Sequence, residues 1–240
     1  MAILAGDLLF SKAFEAVARA EVGPEKKARI LDVLVRTSNE LCEGQALDIE
    51  FETREEVTVA EYLRMISGKT GGALFDGSAT IGAIVGGTEN EEYIRALSKW
   101  GGRNVGIAFQ VWDDVLDLIA DEEKLGKPVG GSDVRKGKKT LIVSHFFQHA
   151  NDEDRSEFMR VFGKYAGDAR GGDALIHDER VKEEVARAIE LLRKYGSIDY
   201  AAEYARKLVR EANEALKVLP KSEARRDLEL LAEFLVERDY

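Results

Sequence analysis

Cysteine, proline and basic charge are what this sequence has least of. A single cysteine, Cys42, stands among 240 residues. No intramolecular disulfide can form, and a reducing compartment is the expectation. The three prolines, Pro24, Pro128 and Pro220, each fall at an edge between apolar-periodic stretches, where a residue without an N–H is tolerated. Lys and Arg total 35 against 45 Asp and Glu, a net charge of −10. That excludes the basic footprint that nucleic acid or an anionic membrane calls for. No apolar run approaches the ~18–20 residues of a membrane span. The opening MAILAGDLLF lacks a basic lead-in and carries Asp7 inside its apolar stretch, so it does not read as a signal peptide. A soluble cytoplasmic protein is the expectation.

What is present is helical periodicity. Apolar residues recur at i, i+3, i+4 and i+7 in nearly every segment. The pattern predicts helices over 2–20, from Pro24 onward with Ile30, Leu31, Leu34, Leu41 and Leu47 inward, over 59–87, and over 91–121 with a kink at Gly101-Gly102. After a loop at 126–139, helices are expected over about 140–150, 152–166, 179–196, 198–217 and 222–238, with Asn151 and Asp178 as N-caps. No internal repeat occurs, and one all-α domain over 1–240 is expected. The first helix starts at Met1 with no capping side chain before Ile3. That reads either as a frayed terminal helix or as a chain that begins inside something longer.

Chemistry concentrates in four segments. In GIAFQVWDDVLDLIAD (106–121), Gln110, Asp113, Asp114, Asp117 and Asp121 fall within an arc of about 100° on one helix face. A packed stripe of carboxylates repels itself and desolvates badly. It is tolerable facing water, the bland reading, or neutralised by divalent cations such as Mg²⁺, which takes oxygen ligands. LGKPVGGSDVRKGKKT (125–140) then supplies Lys127, Arg135, Lys136, Lys138 and Lys139, a cationic loop that could hold a diphosphate or simply be solvated. It is not a Walker loop, since GxxxxGK[ST] is absent. GKTGGALFDGSATIGAIVGG (68–87) places Lys69-Thr70 before a run of small residues. Such a run either lets another helix approach closely or leaves a tunnel for an elongated apolar ligand. In ELCEGQALDIEF (40–51), Gln45 and Asp48 share a helix face. His145 and His149 lack an HExxH context and read as ordinary histidines.

Together these segments resemble the trans-isoprenyl diphosphate synthases, the polyprenyl synthetase family, and most of all its archaeal branch making geranylgeranyl or farnesyl chains. AGDLLFSKAF (5–14), EGQALD (43–48), KTGGALF (69–75), GIAFQVWDDVLD (106–117) and GKPVGGSDVRKGKKTL (126–141) are each similar to a family element, in order along the chain. The resemblance implies an isoprenoid-synthase-type helical bundle around a central cavity, usually dimeric. It also implies Mg²⁺-dependent head-to-tail condensation of isopentenyl diphosphate with an allylic diphosphate. Asp113, Asp114 and Asp117 would hold Mg²⁺, Asp113 most directly. Lys69, Lys127 and Lys138 would neutralise diphosphate oxygens, Thr70 and Gln110 would steady the developing cation, and Gln45 and Asp48 would line the cavity. Asp133 matches a loop aspartate that tethers the loop.

The sequence also departs from the family. Members carry roughly 90–100 further residues before the AGD helix, with a first aspartate-rich motif and the isopentenyl grip. The only DDxxD here sits in the second-motif context. The expectation is an N-terminally incomplete synthase, poorly active alone. The alternative is a non-catalytic or modulating subunit paired with a full-length synthase. A class I terpene cyclase fits less well, because its N-x-x-x-S-x-x-x-E motif is not found.

Overall fold

Capping side chains mark where the chain turns helical. Thr58 and Glu61 close a reciprocal capping box, and Asn90, Thr140, Asn151, Asp178 and Ser222 each accept a backbone N–H of the first turn they precede. Pro24 sits at the first position of its helix. The structure, a computed structural model, describes residues 1–119, 130–167 and 178–238. In these the α-helices are α1 (Ala2–Arg19), α2 (Pro24–Thr53), α3 (Val59–Ile66), α4 (Ser78–Gly86), α5 (Glu91–Ser98), α6 (Gly106–Ile119), α7 (Ser132–Lys136), α8 (Leu141–His149), α9 (Asp152–Met159), α10 (Glu179–Lys194), α11 (Ser197–Ala215) and α12 (Glu223–Glu237). Among the described residues no strand occurs, and no helix is long and apolar enough to cross a membrane.

Two of the long helices are interrupted by π-helical turns. Ser67–Gly77 joins α3 to α4, and Lys99–Val105 joins α5 to α6. The kink expected at Gly101-Gly102 is therefore a widened stretch of continuous helix. The two π segments lie against each other at backbone contact. A Cβ on Gly71 would stand 2.2 Å from the carbonyl oxygen of Gly102, and one on Gly106 would stand 2.5 Å from the Cα of Gly71. On the other side a Cβ on Gly44 of α2 would stand 2.4 Å from the backbone N of Lys69. Of the two readings of the small residues, close helix approach is what these positions show.

Behind this layer α11 packs on α6 and on the second π segment. Ala108, Val111 and Val115 of α6 and Ala201, Ala205 and Ala212 of α11 are fully buried, the alanines allowing close approach. The helix expected over 152–166 ends at Met159 and continues as turns that reverse through Gly163 at φ +73°. The loop after α6 contains the short helix α7, which periodicity did not announce. Its residues 126–129, Lys127 and Pro128 among them, lie outside the described residues, as do Ala120 and Asp121.

Candidate active site

A track of polar contacts crosses from α2 to the loop after α6. Asp48 of α2 accepts from the Lys69 Nζ at 2.6 Å. The next residue, Thr70, donates its hydroxyl to Gln110 Oε1 at 3.1 Å, and Gln110 Nε2 donates to Asp114 Oδ1 at 3.3 Å. Lys138 Nζ donates to the same Asp114 oxygen at 2.7 Å and to Asp133 Oδ2 at 3.2 Å. The backbone N–H of Asp133 donates to Asp117 Oδ2 at 2.9 Å, and that of Gly131 donates to the Asp117 carbonyl at 2.8 Å. The start of α7 is thereby fastened to α6, and Lys138 is aimed back at the helix. Gln45, half-buried, stands one turn before Asp48 on α2.

Burial sets the electrostatics. Asp114 is 2% exposed and also accepts the hydroxyl hydrogen of the fully buried Tyr62. That phenol is pushed well above its ordinary range, by burial first and then by the Asp114 charge. Burial also raises Asp117, against the opposing effect of its bond from Asp133 N–H. It pushes Asp133 up to about 7, with Asp114 and Asp117 adding to the rise and Lys138 opposing it. Burial disfavours the charged form of Lys138, but the Asp114 and Asp133 carboxylates outweigh it and the ammonium titrates higher than an ordinary lysine. Three carboxylates thus gather around one ammonium.

Asp113 stands apart from this group. Its side chain is 54% exposed and accepts from Arg238 Nη2 at 2.8 Å. The Arg238 guanidinium lies 4.7 Å from the Phe109 ring centre, and its carbonyl accepts from Trp112 Nε1 at 3.0 Å. Residue 238 is therefore held to the aspartate-rich helix at three positions. Among the described residues no three His, Cys, Asp or Glu side chains converge as a preformed metal cage. The single carboxylate face expected from 100° spacing is split: Asp114 and Asp117 lie with the loop, and Asp113 turns to Arg238. Sequence reasoning missed Tyr62 and Arg238. Neither carries a local signal, since both meet α6 only through the fold.

The uncompensated charge beside Lys138 suits a further cation. Asp117 and Asp133, both half-buried, and the exposed Asp113, one turn from Asp117, have surface to offer it. The donor set, all oxygen, fits Mg²⁺.

Comparisons with known proteins converge on one group. The sequence profile described as "Polyprenyl synthetase" matches residues 1–176. The short chain isoprenyl diphosphate synthase of Methanothermobacter thermautotrophicus is 44% identical over 243 residues, covering 100% of this chain and 68% of that protein. The geranylgeranyl diphosphate synthase of Methanosarcina mazei is 42% identical over 239 residues, covering 100% of this chain and 67% of that protein. The crystal structure of geranylgeranyl pyrophosphate synthetase from Pyrococcus horikoshii matches with a TM-score of 0.88 at 66% identity, covering 99% of this chain and 67% of that one. The chain spans about two thirds of the length of these relatives.

Proposed function

Because the chain belongs to the polyprenyl synthetase family, we propose that the polar track from Asp48 to Asp133 is one wall of a prenyl diphosphate synthase active site. The site would bind an allylic diphosphate with Mg²⁺ for condensation with isopentenyl diphosphate into a C15–C20 product. The observation that carries this reading is a pair of ammonium groups on one wall: Lys138 ends the hydrogen-bonded chain Thr70–Gln110–Asp114–Lys138, and Lys69, held by Asp48, precedes Thr70 in sequence. Such fixed cations suit phosphate oxygens. Lys127 belongs to the same set by its place in the loop.

Each residue takes a role its surroundings allow. Asp113 and Asp117 would hold Mg²⁺, with Asp113 exchanging Arg238 for the metal. Asp114, buried between Tyr62 and Lys138, positions the lysine instead of presenting an open oxygen to a metal. Thr70 and Gln110 place oriented dipoles where an allylic cation would develop, the arrangement that lowers such barriers most. Gln45 and Asp48 line the α2 side and steady Lys69. When bound, Mg²⁺ would supply Lewis-acid stabilisation of the departing diphosphate. This chain would serve that reaction as a homodimer or beside a longer synthase chain.

Thermal melts test the binding half of the proposal. Pyrophosphate with Mg²⁺ should raise the melting temperature more than either does alone, and Asp113→Asn/Asp117→Asn should remove most of the rise. An equal rise in that variant would take both aspartates out of the metal shell. Elongated product from labelled isopentenyl diphosphate and geranyl diphosphate reports the condensation half.

A further inference from the structure

The α5 flank of the molecule holds a second cationic hollow that the proposed active site does not use. A cavity of about 580 Å³ opens between α2, the first π segment and the run from α5 into the second π segment. That volume falls in the range of small-molecule sites, about 300–1,000 Å³. Arg95, Lys99 and Arg103 line one wall. They follow each other at i, i+4 and i+8 from α5 into the second π segment, so their side chains form a ladder along the same hollow. All three are exposed, and none has an ion-pair partner among the described residues. The opposite wall carries Arg36, Glu40 and Asp76. There Arg36 already donates to both carboxylates, at 3.2 Å to Glu40 and 3.0 Å to Asp76, and Thr80 donates to the other oxygen of Asp76. The two carboxylates reach the floor at Gly72 and Gly102 but take their ion pair from Arg36, and the ladder is left without one.

Like charges one turn apart destabilise a helix slightly. Elsewhere the helix surfaces of this protein set cations beside carboxylates three or four residues away, as in Lys12–Glu15, Lys182–Glu179, Arg206–Glu203 and Arg225–Glu229. A chain with net charge −10 has carboxylates in surplus, yet none forms an ion pair with Arg95, Lys99 or Arg103 among the described residues. Glycines 72 and 102 leave the floor between the walls without side chains. The hollow opens on another side of α2 from the first site and comes nearest to it at Gly68, beside Lys69. Around α2, Arg36 lies about 180° from Gln45 at 100° per residue.

We propose that this cavity is a second anion site, taking a di- or polyphosphate along Arg95, Lys99 and Arg103 without a metal ion. Neighbouring phosphates can bridge adjacent side chains of the ladder, and a longer polyphosphate can reach all three. The proposal does not depend on the reading of the first site, where diphosphate is expected to need Mg²⁺.

Calorimetric titration of the whole chain with inorganic pyrophosphate in EDTA tests it. One saturable site per chain is expected, weakening as salt screens the ladder. Arg95→Ala/Lys99→Ala/Arg103→Ala should bind at least tenfold more weakly, with Lys69→Ala close to the unsubstituted chain. The single exposed change Lys99→Glu should weaken binding in the same direction, which keeps the test usable if the triple variant folds poorly. Absence of saturable binding up to about 1 mM overturns the proposal. So does loss of binding in Lys69→Ala instead of the ladder variants. A fall in molar mass by light scattering in the ladder variants would make the stripe a contact between copies, and overturns it too. Mg²⁺-dependent stabilisation by pyrophosphate is a separate measurement, so either site can fail alone.

Discussion

At the scale of single residues, the network around Asp114 is where structure and chemistry meet most closely. A carboxylate 2% exposed is tolerable only with partners, and it has Tyr62, Gln110 and Lys138. Lys138→Met leaves a buried charge without its cation, which costs about 3–5 kcal/mol. Tyr62→Phe removes one bond to a charged group, about 1.5–3 kcal/mol. Denaturant unfolding should rank them in that order, and a Tyr62→Phe effect below about 0.5 kcal/mol would remove the phenol from the network. Arg238 gives a second test. Arg238→Ala frees Asp113 from its cation, so half-maximal stabilisation by Mg²⁺ with pyrophosphate should move to lower Mg²⁺. Movement to higher Mg²⁺ would make Arg238 part of the anion site instead. Lys138, Gln110 and the aspartates were legible in the sequence because family-like spacing carries them. Tyr62 and Arg238 were not, because they lie 52 and 125 residues from the aspartates they meet.

At the scale of elements, the π segments convert a run of small residues into close helix contact. The sequence left two accounts of residues 68–87 open, and the geometry at Gly71 decides between packing and empty space there. Gly71→Ala must push apart two backbones that approach to 2.2 Å of the added carbon. Overpacking of this kind costs about 1–3 kcal/mol. Gly82, in α4, has nothing within 4 Å, so Gly82→Ala should stabilise by about 0.4–1 kcal/mol through the unfolded chain. Opposite signs from the same chemical change are the expected outcome in thermal melts. Equal signs would mean that the π segments do not pack this way. The helix boundaries were largely legible from caps and periodicity. The end of α9 at Met159 was not, since apolar spacing continues through Phe162 while the chain turns at Gly163.

The histidines of α8 give the same scale a pH dependence. His145 stacks on His149 and on Tyr200 of α11, and its Nδ1 lies 3.0 Å from Ser197 Oγ. Burial, and then repulsion from His149, lowers its pKa below the ordinary 6.5. The folded state therefore binds this proton less readily than the unfolded chain. Stability from this group is present above pH 6.5 and is lost as pH falls through the lowered folded value. Between about pH 7.5 and 5.5 the unsubstituted chain should lose more melting temperature than His145→Gln. Equal losses would show that the histidine is as easily protonated folded as unfolded.

At the scale of the molecule, α1 is an element the fold does not account for. It has no buried residue, and it touches the rest of the described chain chiefly through α2. Val17 packs with Val22 beside Ile30 and Val33, but Ile3, Leu4, Leu8, Leu9 and Phe10 all stand more than half exposed. A helix draws most of its stability from packing, and apolar residues exposed on every side of this 18-residue one mark a surface that another element covers. We expect a second copy of the chain there, because a two-fold contact pairs the same patch with itself. The expected state is thus a dimer, of about twice 26.6 kDa by light scattering. Leu8→Glu/Leu9→Glu places charges on that face without touching the core, so it should shift the mass toward one chain while circular dichroism stays helical. A dimer that survives the substitution would move the interface away from α1. A chain that is monomeric before the substitution, with α1 protected from proteolysis, would mean that α1 folds back onto its own protomer.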